Sequence, residues 1–172
     1  MLVVTLPYPI SANRYWRSRV IAVKGKPPIV STYVSPEAKA YKTEVGWLLR
    51  AAGVRSPCPG RAALEYVLYP HRPQDWEKRM RLHGATWDDD VRSIDIDNAN
   101  KVLIDALKGI AIHDDSRKWV RRLAGEHGEP DALGARLVLT IKPIRAAVAP
   151  VVQSSLDLPE PAPLRAFDPL DV

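Results

Sequence analysis

At 172 residues, 46% of them hydrophobic, the chain has the length of one domain and enough apolar content for one core. Its single cysteine, Cys58, excludes an internal disulfide framework and fits a reducing compartment, and no apolar run approaches the length of a membrane span. The net charge of +5 favours polyanionic partners and is unevenly spread, because residues 146–172 carry −3 and leave +8 on the rest.

Leu2 to Leu6 reads as a buried strand closed by Pro7 and Pro9. It lacks the basic flank of a leader peptide, so the cytoplasm is the expected location. Ser11 to Lys26 reads as a basic loop or irregular hairpin. Ser35-Pro36-Glu37 starts a helix, since serine caps free N–H groups and proline is tolerated at the first position. That helix runs to about Ala52, with Ala38, Tyr41, Val45, Leu48, Leu49 and Ala52 inward and Gly53 as its stop. Ser56 to Gly60, with a proline on either side of Cys58, is a turn in which the thiol is structural or incidental. Ala62 to Tyr69 alternates as a strand does. A long insertion follows from about 71 to 93, bearing Arg72, Lys78, Arg79, Arg81 and Arg92 as well as Asp88-Asp89-Asp90, which reads as a solvated turn. Lys118 to Leu123 and Ala135 to Ile141 read as strands, with Gly125 to Gly134 as a polar hairpin loop between them. The expected fold is an α+β domain over residues 1–145, a small mixed β-sheet packed by two helices. Residues 146–172, with five prolines, are expected to be disordered or to form an extended partner-binding segment.

The chemistry concentrates in Ile94-Asp95-Ile96-Asp97-Asn98-Ala99-Asn100-Lys101 and in His113-Asp114-Asp115. In an extended segment, side chains at i and i+2 point the same way, so Asp95 and Asp97 would present carboxylates to one point. Asp97 is also a good N-cap for the helix that follows, whose stripe is Ala99, Val102, Leu103, Ala106 and Leu107 and whose end is marked by Gly109. Lys101 stands one turn beyond Asp97, where it can reach a phosphate at the helix N-terminus. The helix then returns the chain to Asp114 and Asp115. An oxygen-only cluster of this kind suits Mg²⁺, which takes one or two carboxylates and completes its shell with water or phosphate oxygens. In a basic protein this points to phosphodiester hydrolysis.

Asp95-Ile96-Asp97-Asn98, Lys101, Asp105-Ala106-Leu107 and Asp114-Asp115 together resemble the RusA family of Holliday-junction resolvases of bacteria and their prophages. The opening Leu6-Pro7-Tyr8-Pro9, followed by Ser11-Ala12-Asn13-Arg14-Tyr15-Trp16, looks like that family's first strand and turn, and the resemblance extends to about Ile144. It implies a RusA-like, homodimeric fold and a Mg²⁺-dependent endodeoxyribonuclease, with Mn²⁺ as an alternative ion and branched DNA, the four-way junction, as partner. It implies Asp95, Asp97 and Asp115 as metal ligands, Asp114 as second choice for the third, and Lys101 as the catalytic lysine. By analogy Asn13, Arg14 and Tyr15 contact DNA, brace the site or set the turn. The long insertion departs from the family's short arginine-rich link, so the DNA-contacting role of Lys78, Arg79, Arg81 and Arg92 is an expectation from charge.

Blander roles stand beside each of these. Asp97 could be only a helix cap and Lys101 only its i,i+4 salt-bridge partner. Asp105 reads as a buried or capping structural group, and His113 as peripheral to the acidic pair. Trp16, Trp76 and Trp87 either stack on unpaired bases or pack the core. A branched-DNA-binding protein without catalysis, and a nuclease for flap DNA or RNA, are the rival functions.

Overall fold

The computed structural model describes residues 1–22 and 24–144. The proline-rich segment 146–172 therefore lies outside the described residues. Strand β1 (Leu2–Pro7) leads through the short helix α1 (Ala12–Tyr15) into a hairpin of β2 (Trp16–Ile21) and β3 (Ile29–Val34). Helix α2 (Pro36–Ala51), strand β4 (Arg61–Tyr69), helix α3 (Trp76–His83), helix α4 (Ile96–Leu107), and strands β5 (Val120–His127) and β6 (Arg136–Ile144) complete the domain. The main sheet has the order β1-β6-β4-β5, and β2-β3 forms a separate antiparallel ribbon.

The sheet is mixed. β6 is antiparallel to both β1 and β4, whereas β4 and β5 are parallel. A parallel pair cannot be joined by a tight turn, so the chain must travel back along the sheet between Tyr69 and Val120. Helix α4 makes that return, and this is why the acidic segment precedes a helix. β1, β4 and β5 thus run in one direction, and their C-terminal ends lie at the same edge of the domain.

The core is built from alternation on the strands and a stripe on each helix. Leu64, Tyr66 and Leu68 of β4 and Leu137, Leu139 and Ile141 of β6 are buried together with Ala38, Tyr41, Val45 and Leu49 of α2. The α4 stripe is the expected one, with Ala99, Val102, Leu103, Ala106 and Leu107 all buried. Burying a valine or leucine side chain is worth about 1.5–3 kcal/mol, so these positions anchor α4 firmly. The Ser35 hydroxyl accepts from Ala38 N–H at 3.1 Å, the capping bond the sequence predicts.

The structure overturns one expectation and sharpens two others. The hairpin loop assigned to Gly125 to Gly134 is instead strand up to His127, followed by a crossover to β6, because β5 pairs with β4 and not with its successor. Of the two readings of the basic segment after Ser11, the hairpin holds: a helical turn leads into β2, which pairs with β3 beyond Lys26. The insertion contains an ordered helix, α3. Trp87 is 3% exposed, and its Nε1–H donates to Glu129 at 2.8 Å, while Trp76 packs against it with ring centroids 6.4 Å apart. For Trp87, packing and not base stacking is therefore its use. Trp76 is half-buried under the Arg72 guanidinium, 4.5 Å from its ring centre.

Candidate active site

The acidic segment turns from extended backbone into α4 at Asp95, which is the N-cap residue. This corrects the assignment of the cap to Asp97, which instead occupies the first helical turn, where the helix dipole favours an anion. Both carboxylates are exposed, and neither has an ion-pair partner among the described residues. Asp95 accepts from Asn98 Nδ2–H at 3.3 Å. Asp97 acts on Tyr66, whose hydroxyl is pushed up to about 12, first by burial and then by the Asp97 charge.

Beside this turn, α1 and α4 enclose a cleft of about 600 Å³ lined in part by Asn13, Trp16, Asn98, Lys101, Asp105 and Asp115. Lys101 is exposed, has no ion-pair partner among the described residues, and does not bridge to Asp97. Trp16 is 55% exposed at the rim. Tyr15 is only 3% exposed and its hydroxyl donates to Asp105 within the wall, so of the roles expected for it bracing is the one its position suits. Lys42 Nζ also reaches Asp105, at 3.4 Å. Burial raises the Asp105 carboxyl above its usual range, Lys108 lowers it, and the Asp115 charge raises it again.

That raised value has a testable sign. Across the window between the ordinary carboxyl value and the raised one, the folded chain binds more protons than the unfolded chain, so stability falls as pH rises through it. Asp105→Asn keeps an acceptor for Tyr15 and removes the titration. Thermal unfolding in acid should show this fall in the parent and a flatter profile in the variant; an equal fall in both would assign it to another group.

At the far end of α4, Gly109 takes a left-handed conformation (φ 76°) and its N–H donates to the Ile112 carbonyl at 2.7 Å. This tight return brings Asp114 and Asp115 back to Lys108, which ion-pairs with Asp114 and lies 3.3 Å from Asp115. The Lys108 ammonium holds the Asp114 carboxyl below its usual range. His113 stacks on Trp119 with centroids 4.3 Å apart.

The predicted site residues thus divide. Lys101 and Asp115 share the cleft, Asp95 and Asp97 stand at the helix start, and Asp114 is engaged by Lys108. Among the described residues no three His, Cys, Asp or Glu side chains come together closely enough to hold a metal ion. The donor chemistry of Asp95 and Asp97 nevertheless fits Mg²⁺: two exposed carboxylates without competing cations, leaving the remaining positions to water or phosphate. Asp115 would join such an ion only by leaving Lys108.

Of the residues expected at the DNA, Asn13 lines the cleft and Arg14 is exposed, 3.8 Å from Glu37. Lys78, Arg81 and Arg92 are exposed. Arg79 is committed to Asp75 at 2.9 Å, an i,i+4 pair on α3. Sequence reasoning missed Lys108, Asn98, Lys42 and the roles of Tyr8 and Tyr66. Only Lys108 had a signal: a cation at a helix C-terminus, seven residues before an aspartate and across a glycine turn.

A family model described as Endodeoxyribonuclease RusA matches residues 7–141, which spans the acidic turn, the cleft and most of the sheet. The match makes this α+β domain nuclease-type. The chain belongs to the RusA family. A comparison with curated proteins gives no match. Among the described residues no helix is long and apolar enough to cross a membrane.

Proposed function

We propose that the protein is a Mg²⁺-dependent, structure-selective DNA endonuclease that cuts four-way junctions as a homodimer, in recombination and repair. The observation that carries this reading is the exposed Asp95–Asp97 turn, without cation partners among the described residues, opening beside the Lys101 cleft within the family match. Asp95 and Asp97 would hold the ion, with Asp115 as third ligand once released from Lys108. When bound, the ion would supply an activated water and neutralise charge on the phosphate. The side chains do the rest. Lys101 offers a compact positive charge to the non-bridging or leaving oxygen, and the α4 N-terminus favours the phosphate by its dipole. Two symmetric cuts need two sites, which a C₂ homodimer supplies through one interface type.

A specific observation favours a second reading, a branched-DNA-binding protein that does not cut: the Asp114–Asp115 pair is held by Lys108, and no three acidic groups come together among the described residues. One experiment decides. The purified protein is incubated with a labelled synthetic four-way junction in Mg²⁺ or EDTA, beside duplex, flap and RNA controls. Mg²⁺-dependent paired nicks in the junction support the nuclease, retarded but intact junction supports the binder, and preferential cleavage of flap or RNA changes the substrate.

Binding should weaken steeply with salt, since each phosphate neutralised releases counterions. Neutralising Lys78, Arg81 and Arg92 together should lower the log–log salt slope by about 0.9 for each true phosphate contact. An unchanged slope would move the contacts to Arg14, Arg17 and Arg19 near the ribbon.

A further inference from the structure

The acidic turn is held by two tyrosine hydroxyls from opposite ends of the sequence. Tyr8 follows β1 directly, and its hydroxyl accepts from Ile94 N–H at 3.0 Å. The same hydroxyl lies 2.8 Å from Ser93 Oγ, which in turn lies 3.1 Å from His127 Nδ1 at the end of β5. The Tyr8 oxygen accepts from Ile94, and either hydroxyl can supply the proton of the Tyr8–Ser93 bond. On the other side, the Tyr66 hydroxyl of β4 shares its one proton between the Ile96 carbonyl at 3.1 Å and Asn100 Oδ1 at 2.8 Å. One hydroxyl therefore bonds the Ser93–Ile94 peptide, just ahead of Asp95, and the other bonds the Ile96–Asp97 peptide.

The fold is adapted to admit the second of these. Tyr66 pairs in register with Gly125 on β5, and a Cβ at Gly125 would sit 2.3 Å from Tyr66 Cζ and 2.4 Å from its hydroxyl. No flexible side-chain tip is available to yield, because the obstructed atoms belong to a ring already anchored at both ends. Gly125 has no other evident need, as its backbone lies within a strand and takes no left-handed angle. A glycine weakens a strand, so its presence opposite Tyr66 is accounted for by the passage of that ring.

We propose that Tyr8 and Tyr66 are positioning residues of the active site, whose hydroxyls set the backbone of Ile94 to Asp97 so that the Asp95 and Asp97 carboxylates converge on one cation. The inference rests on the metal role assigned to Asp95 and Asp97. The geometry supplies its reason: two exposed side chains on a loop-to-helix junction would otherwise sample many separations, Asn98 bonds only the Asp95 carboxylate, and the tyrosines hold the backbone that carries both. Partners one step behind metal ligands are commonly worth 10–100-fold in metal affinity.

Tyr8→Phe and Tyr66→Phe keep the rings and remove only the hydroxyls. Mn²⁺ serves as the probe, and free ion is counted by its electron spin resonance signal without DNA present. The dissociation constant should rise about ten-fold in each variant, and Gly125→Ala should reproduce the Tyr66→Phe result by displacing the ring. A merely structural role would lower the melting temperature in Tyr8→Phe and Tyr66→Phe while leaving the Mn²⁺ constant at its parental value, and that outcome overturns the proposal. If the parent itself binds no Mn²⁺, the metal reading fails and the convergence on a cation fails with it. Hydrogen exchange at the Ile94 amide separates the two failures. Faster exchange in Tyr8→Phe would show that the hydroxyl holds the turn even though no cation is gathered, and unchanged exchange would show that it holds nothing.

Discussion

Asp97→Asn is expected to lower junction cleavage by about 10²–10³-fold, because loss of one charged ligand removes several kcal/mol of transition-state stabilisation. Junction binding should persist, since the amide adds no bulk at an exposed position. The structural cost is much smaller. Asp97 lies in the first turn of α4, where a negative charge is worth about 0.3–1 kcal/mol through the helix dipole. Activity and stability should therefore separate by at least ten-fold in equivalent terms, and single-turnover cleavage beside thermal unfolding measures both. Asp95→Asn should behave alike. Asp115→Asn and Asp114→Asn divide the third role: Lys108 contacts both carboxylates, so loss of activity in one and not the other identifies which of them leaves the lysine in the working enzyme. Near-parental turnover in Asp97→Asn would dismiss the acidic turn as the catalytic centre.

What the sequence made legible was set by local chemistry. The α4 stripe, the Ser35 cap and the Gly109 stop depend on neighbours within a few residues and are where periodicity and capping put them; so is the α2 stripe, except that Ala52, expected inward, is the exposed C-cap residue beyond its last turn. The β5 boundary was not legible because pairing with β4 is a long-range choice. Gly125 reads as a loop residue in isolation and becomes a strand residue only because Tyr66 lies opposite it. The packing in the insertion was hidden for a similar reason: Trp87 is held by Glu129, 42 positions away, while Asp88-Asp89-Asp90 is the turn its charge suggested. At the site, the residue types were visible but not their engagement. Lys108 had a local signal in its spacing from the acidic pair across Gly109, but nothing local tells that the hydroxyls of Tyr8 and Tyr66 meet the peptides on either side of Asp95.

Lys101→Ala is the second change with a large expected effect, and it separates three roles that the sequence leaves together. As a helix-stabilising partner of Asp97, the lysine would be worth about 0.3–0.5 kcal/mol, but no such bridge forms, and alanine is the best helix former at an exposed position. The melting temperature should therefore stay level or rise slightly. As a simple phosphate anchor, the lysine would lower junction affinity and the salt slope by about one contact, with equal loss for all DNA shapes. As a transition-state group, it would leave binding nearly intact and lower the single-turnover rate by about 10²–10³-fold, the scale on which a preorganised donor aimed at developing charge acts. Its place in the cleft wall with Asp115 and its lack of a counter-ion among the described residues favour the last role, because an unpaired ammonium is available to a charge that appears only during reaction. Lys101→Arg refines the test: a guanidinium keeps the charge but spreads it over a planar fork, so the rate should recover in part and not fully. Full recovery by arginine would mean that net charge alone matters, and a loss confined to affinity would make Lys101 an anchor.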